Sequence, residues 1–175
     1  MKKEILGSLR FFLIMTLLCG GFYTFGVTGI AQLFFPYQAN GSMLKEDNKV
    51  TGSALIGQEF TEARYIHGRP TEVSQLSPYS PQLKEKIEKR TTAIKEENNG
   101  AKEVPADLVM GSGSGVDPHI SFEGAIYQAK RIADSRNVEI KQINDIIETN
   151  KETDRLTGNE YINVLVVNAA LDQLT

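Results

Sequence analysis

The chain has a single cysteine, Cys19, no tryptophan, and two histidines, His67 and His119. One cysteine cannot close a disulfide within the chain, so its fold must be held by a packed core rather than by covalent staples. Two histidines, with the cysteine far off in an apolar run, do not make a structural zinc site, and no metal is expected. Charge is missing altogether from residues 11–44. Within that stretch, residues 11–35 are dominated by Phe, Leu, Ile and Val, a run longer than the roughly 7 to 15 residues of a signal-peptide core. No small-x-small triplet closes it before Pro36, and Leu18 is too large to precede a lipid-modified Cys19. The run is therefore expected to remain in place as one membrane-spanning helix, since hydrocarbon about 30 Å thick is crossed by about 20 helical residues.

Lys2, Lys3 and Arg10 against Glu4 give the first ten residues a formal charge of +2. Positive flanks stay cytoplasmic, which predicts an N-in, C-out orientation. With the whole chain at −3, the residues after the span carry −5, a balance that argues against nucleic acid as a partner. The organisation expected is a cytoplasmic tail over 1–10, a transmembrane helix over 11–35, and one small mixed α/β extracytoplasmic domain over 36–175, α+β in class. Within the span, Gly20, Thr24, Thr28 and Gln32 recur every four residues on one face. Small and weakly polar residues so placed predict close packing against another membrane helix.

Beyond Pro36, residues 37–42 read as a turn centred on Asn40-Gly41; Asn40-Gly41-Ser42 has the form of a glycosylation sequon, but a plain turn is the stronger reading. Residues 50–60 read as an irregular strand interrupted by Gly52 and Gly57, with a short extended piece at 65–67. Ser80-Pro81 predicts a helix start, with Ser80 as cap and Pro81 in the first turn; Leu83, Ile87, Thr91 and Ile94 mark its narrow apolar face and Gly100 its stop. A second helix capped by Ser121 carries Ala125, Ile126, Ala129, Ile132 and Ala133, and a third carries Ile140, Ile143, Ile146 and Ile147. Residues 161–167 are rich in β-branched side chains and predict a strand, with 169–174 as a closing helix.

Residues 104–121 are the most unusual stretch, because Gly111, Gly113 and Gly115 alternate with Ser112 and Ser114. Successive N–H groups of such a loop, ahead of a helix, are able to face an anion. No Gly-Lys-Ser/Thr follows and the spacing is not G-x-G-x-x-G, so on the residues alone a structural turn is favoured. Asp117, His119 and Ser112 or Ser114 supply the residue types of a hydrolase triad, and a membrane-anchored extracytoplasmic hydrolase is the alternative reading. Triads normally assemble from distant positions, however, and these all lie between 112 and 119.

Taken together, several motifs become specific: Q-A-N-G-S after the span, G-S-A-L-I-G-Q-E-F, H-G-R-P at residues 67–70, and D-L-V from Asp107. To these are added G-S-G-V-D-P-H-I-S from Gly113, Tyr127-Gln128 with Arg131 and Arg136, and N-V-L-V-V-N-A-A-L-D near the end. In this order they closely resemble the C subunit of the Kdp potassium-transporting ATPase of prokaryotes, over essentially the whole chain. The resemblance implies a plasma-membrane complex with a channel-like A subunit that selects K⁺, a P-type B subunit that hydrolyses ATP, and a small F subunit. It implies for this chain a non-catalytic role in assembly, and one as a catalytic chaperone that raises the B subunit's affinity for ATP. On that account Ser112, Gly113, Ser114, Gly115 and Gln128 are candidates for nucleotide contact, with Asp117 and His119 grouped beside them as possible partner contacts. ATP would act through the complex rather than as this chain's own cofactor. Two departures stand out: only residues 71–80 separate G-R-P from the next helix, where the family has a longer insertion, and Met110-Gly111 and Val116 replace Thr plus a small residue and Leu. ATP is cytoplasmic while the charge rule puts the loop outside, so an effect on ATP binding is expected to travel through subunit contacts.

Overall fold

The computed structural model describes residues 2–46, 49–73, 75–98, 100 and 103–174, which divide into two units, Met1–Ser53 and Ala54–Thr175. In the first, helix runs without a break over Lys2–Phe34, long and apolar enough to cross a membrane. It comprises α1 (Lys2–Met15), a π-helical stretch (Thr16–Tyr23) and α2 (Thr24–Phe34). The charged residues before Phe11 are helical as well. The wider π turn passes through Gly20-Gly21, where no side chain holds the tighter winding, and Thr24 Oγ1 donates to the Cys19 carbonyl five residues back at 2.9 Å. None of the span's residues is buried in the chain itself.

Phe35 ends the rod, and Pro36 opens the one-turn α3 (Pro36–Ala39). The expected turn follows, with Gly41 at φ +85° and Ser42 at φ +50°. It leads into an antiparallel hairpin of β1 (Met43–Glu46) and β2 (Lys49–Ser53), in which Met43 lies opposite Ser53. Only the beginning of the strand expected over 50–60 forms; past Ser53 the chain is irregular. There the Gly57 N–H donates to the Val116 carbonyl at 2.6 Å, so this stretch follows a loop rather than a sheet edge.

In the second unit a three-stranded antiparallel sheet has the order β3 (His119–Ser121), β5 (Glu160–Asn163), β4 (Lys151–Thr153). The helices are α4 (Pro81–Glu97), the short α5 (Ala106–Val109), α6 (Phe122–Arg136), α7 (Ile140–Thr149) and α8 (Val164–Leu171). One core joins Ile120 and Ile162 of the sheet to Ala125, Ala129 and Ile132 of α6, Ile143 and Ile147 of α7, and Val167 and Leu171 of α8. The unit is α+β, as expected. Helix α4 buries no residue, in keeping with its narrow apolar face.

Some local expectations are corrected. The strand expected over 161–167 stops at Asn163, whose side-chain oxygen accepts from the N–H groups of Leu165 and Val166 at 3.1 and 3.3 Å and so starts α8. A cap and the burial of Val164, Leu165 and Val167 outweigh the β-propensity of the run. The closing helix therefore begins at Val164 rather than at 169. Ser121 caps α6 through Gly124 N–H at 2.9 Å, but the Ser80 hydroxyl makes no cap bond to α4. Ile126 and Ile140, expected on core faces, are exposed.

Candidate functional site

The glycine-serine loop packs backbone against backbone on residues 70–73. A side chain at Gly111 would collide with the Glu72 carbonyl, and one at Gly115 would stand 2.9 Å from the Thr71 carbonyl, with φ +73° besides. Gly113 is open. Two of the loop's N–H groups are taken by its own serines: Gly115 N–H donates to Ser112 Oγ at 2.9 Å and Val116 N–H to Ser114 Oγ at 3.2 Å. Arg69 lies beneath, its guanidinium 3.5 Å from the Asp117 carboxylate and 3.4 Å from the Met110 carbonyl. The cavity bounded by Arg69, Ser112, Gly115 and Asp117 is about 10 Å³, room for one water at most.

Asp117 fixes the end of the loop by accepting from both the backbone N–H of His119 and its Nδ1, each at 3.0 Å. His119 stands edge-on to Tyr161. Both line an open groove of about 800 Å³ whose carboxylates, Asp107, Asp117, Glu123 and Glu160, outnumber its one guanidinium, Arg69. That balance opposes a phosphate ligand. Among the described residues, no serine hydroxyl is hydrogen-bonded to His119: Ser112 and Ser114 hold their own loop, and Ser121 Oγ donates to Asp107 at 3.1 Å. The hydrolase alternative is not favoured. No group of three or more metal-ligating side chains occurs among the described residues.

Gln128 stands apart from the loop. It is 2% exposed, and each of its hydrogen-bonding positions is used. Its oxygen accepts from His67 N–H (2.9 Å) and Arg131 (2.8 Å), and its nitrogen donates to the carbonyls of His67 (3.0 Å) and Gly124 (3.2 Å). Asn168 does the same one residue earlier, holding Ile66 N–H and C=O at 2.8 and 2.9 Å. Residues 65–67, expected to be extended, thus lie outside any sheet; two side-chain amides take the place of a neighbouring strand. Arg131 is buried among neutral acceptors, Asn98 Oδ1 and the carbonyls of Ala63 and Tyr65, and burial lowers its pKa. His67, wedged between Arg131 and Glu97, is held below its ordinary pKa by burial and then by the Arg131 charge.

The remaining motif residues are braces as well. Asp107 accepts from Ser121 N–H at 2.6 Å and fixes the start of α6. Arg136 donates to the carbonyls of Arg64 and Leu171 and pairs with Asp172. In the span, Gln32 exchanges two amide bonds with Asn40, which ties the helix end to the exit turn. Asn163 and Asn168 were not singled out from sequence, since a lone Asn in an apolar run gives no sign of which backbone it will hold.

The family model described as K⁺-transporting ATPase, c chain (KdpC), matches residues 5–173. The chain belongs to the KdpC family. A potassium-transporting ATPase KdpC subunit of Mycobacterium tuberculosis (strain H37Rv) is 41% identical over 99% of this chain and 100% of its own length. A KdpC subunit 2 of Staphylococcus aureus (strain Mu50) is 39% identical over 98% and 100%, and the KdpC subunit of Photorhabdus laumondii is 41% identical over 95% and 94%. As a KdpC chain with one apolar helix, it is a membrane-associated subunit of a K⁺-transporting ATPase. The motifs that carried the resemblance are thereby placed: most of them brace the fold of the second unit.

Proposed function

We propose that this KdpC chain is a non-catalytic accessory subunit that stabilises the ATP-driven K⁺ importer, assembled with the channel-like A, P-type B and small F subunits. The N-terminus is cytoplasmic and the second unit extracytoplasmic, an orientation supported by the +2 flank before an uncharged span. Gly20, Thr24 and Thr28 face a partner's membrane helix; Gln32, engaged with Asn40, contributes to shaping the exit instead.

The observation that carries the reading is the family match over residues 5–173. The chaperone effect on ATP affinity is indirect. Ser112 and Ser114 are occupied by their own loop, Gln128 is buried, and the large open groove is acidic. The effect is then a coupling between sites, on the order of 1 to 3 kcal/mol, or about 5- to 150-fold in ATP affinity. Comparing ATP affinity of the complex with and without this chain tests the coupling. Crosslinking of labelled ATP to Gln128 or to residues 112–115 in the intact complex would refute the indirect route. Protease applied to sealed right-side-out cells should cut beyond residue 53; protection there overturns the orientation.

A further inference from the structure

His67 sits between α4 and α6, and its ring is offered more partners than a neutral imidazole can serve. Nδ1 lies 3.4 Å from a carboxylate oxygen of Glu97, at the end of α4. Nε2 lies 3.4 Å from Arg131 Nη1 of α6 and 3.1 Å from the Glu62 carbonyl of its own stretch. A neutral imidazole has one N–H and one lone pair, so Nε2 either accepts from Arg131 or donates to Glu62, never both. The two charged neighbours ask for the same tautomer. The carboxylate calls for an N–H at Nδ1 and the guanidinium for a lone pair at Nε2, against a single neutral carbonyl. Bonds to charged groups are the stronger, so the neutral ring carries its proton on Nδ1 and leaves the Glu62 carbonyl without the ring's N–H.

Protonation reverses part of this. A ring with N–H at both nitrogens donates to the Glu62 carbonyl and to Glu97 together, and it meets Arg131 as cation against cation. Arg131 keeps its other acceptors, Asn98 Oδ1, Gln128 Oε1 and the carbonyls of Ala63 and Tyr65. What is lost is the contact from the ring to α6, while the contact to Glu97 becomes an ion pair. Helix α4 buries no residue, so a bond at its last turn is a material part of what holds that end. The ring is within reach of solvent protons: its side chain is 22% exposed and lines an open groove with Glu59, Arg69, Arg90 and Glu97. Of these, Arg69 and Arg90 are engaged with the carbonyls of Met110 and Val109. Leu108 of α5, in the same groove, and Val164 of α8, against Gly68, bring no charge. Burial, then the Arg131 charge, holds the ring below its ordinary value of 6.5, so the change of partners falls in acidic solution.

We infer that His67 is a proton-operated clasp, holding Arg131 of α6 when neutral and Glu97 of α4 when charged. On the orientation proposed above, the protons that work it come from outside the cell. The test is ring-nitrogen NMR of the full chain in detergent, from about pH 8 down to about pH 5. The His67 signals are those absent from His67→Asn or, where that variant does not fold, those kept in His119→Asn. The expected result is a neutral ring protonated at Nδ1, with a midpoint below 6.5. In Glu97→Gln, at a side chain 40% exposed and so not needed for folding, the midpoint should drop by about half a pH unit. In hydrogen exchange, corrected for intrinsic rates, the last-turn amides of α4 should be about twofold or more better protected below the midpoint than above it, and Glu97→Gln should remove that gain. A neutral ring protonated at Nε2, an unmoved midpoint in Glu97→Gln, or protection of α4 that ignores the midpoint each overturn the clasp. These readouts are the same whichever side of the membrane the unit occupies, so a failed orientation, shown by protease on sealed cells, changes only where the protons come from.

Discussion

Replacing Gln128 with Ala separates a nucleotide-contact role from a structural one. The truncation removes all of the amide's bonds at once, leaving His67 N–H and C=O without their partners in the interior and Arg131 with three acceptors instead of four. Gly124 C=O loses its side-chain bond as well. A buried backbone group left unpaired costs about 1 to 3 kcal/mol, and a lost bond to a charged group contributes a similar amount. Water entering the space returns part of this, so the net loss is about 3 to 4 kcal/mol. In a unit of this size that lowers Tm by roughly 10 to 20 °C. Gln128→Glu keeps the acceptor for His67 N–H and Arg131 but sets a carboxylate against the His67 carbonyl, so it should fall between wild type and Ala. The assay is thermal unfolding of the purified full chain in detergent, followed by the near-ultraviolet signal of its tyrosines, to which the apolar span contributes little. If Gln128→Ala melts within about 2 °C of wild type while the complex loses its response to ATP, the structural reading is wrong and Gln128 meets the nucleotide or its relay directly.

The glycines of the loop should differ sharply. Gly115→Ala, at φ +73° and 2.9 Å from the Thr71 carbonyl, should destabilise by about 1 to 3 kcal/mol, and Gly113→Ala, in open space, should stay within about 0.5 kcal/mol, both read by the same melt. Asp107→Ala removes the acceptor for Ser121 N–H and Oγ and should cost about 2 to 3 kcal/mol, with weakened protection of the first-turn amides of α6 in hydrogen exchange. His67 is held below its ordinary value near 6.5 by burial and by Arg131, so the unfolded chain binds its proton more readily. That contribution to stability is fully present above about pH 6.5 and is lost as pH falls through the lower folded pKa. Tm should fall between pH 7 and 5, and His67→Asn should flatten the slope; an equally steep slope in the variant refutes the assignment.

Elements were legible where a local signal and the tertiary need agreed. The long apolar helix, α4, α6 and α7 followed from apolar period and length, and Ser121 caps α6 where its position in sequence placed it. Legibility failed where a side chain acted on distant backbone. Residues 161–167 carry the residues of a strand, yet one Asn side chain at 163 turns the second half into a helix. Residues 65–67 are extended in character but pair with amides about 60 and 100 residues away, a relation no period within the segment reveals. Of the candidate site, the turn-forming nature of the loop was readable from its glycines. That both serines would accept from N–H groups of their own loop was not, because Oγ direction depends on which backbone N–H groups lie within reach once the loop is packed.

On the accessory reading proposed above, the same braces bear on how such a domain would act on its partners. Side chains that bond to remote backbone, the buried Gln128 to residue 67 and Asn168 to residue 66, and the half-buried Asp107 to residue 121, leave little slack between the helices and the irregular stretches they hold. A unit locked in this way loses little further freedom when it binds, so more of its contact energy remains as affinity. The proposed coupling to a distant ATP site would require that such a braced unit favour one arrangement of its partners over another by a few kcal/mol. A change that loosens the braces, such as Gln128→Glu, should therefore weaken the proposed coupling to ATP before it abolishes assembly, and loss of both at the same threshold would refute the braced-unit account.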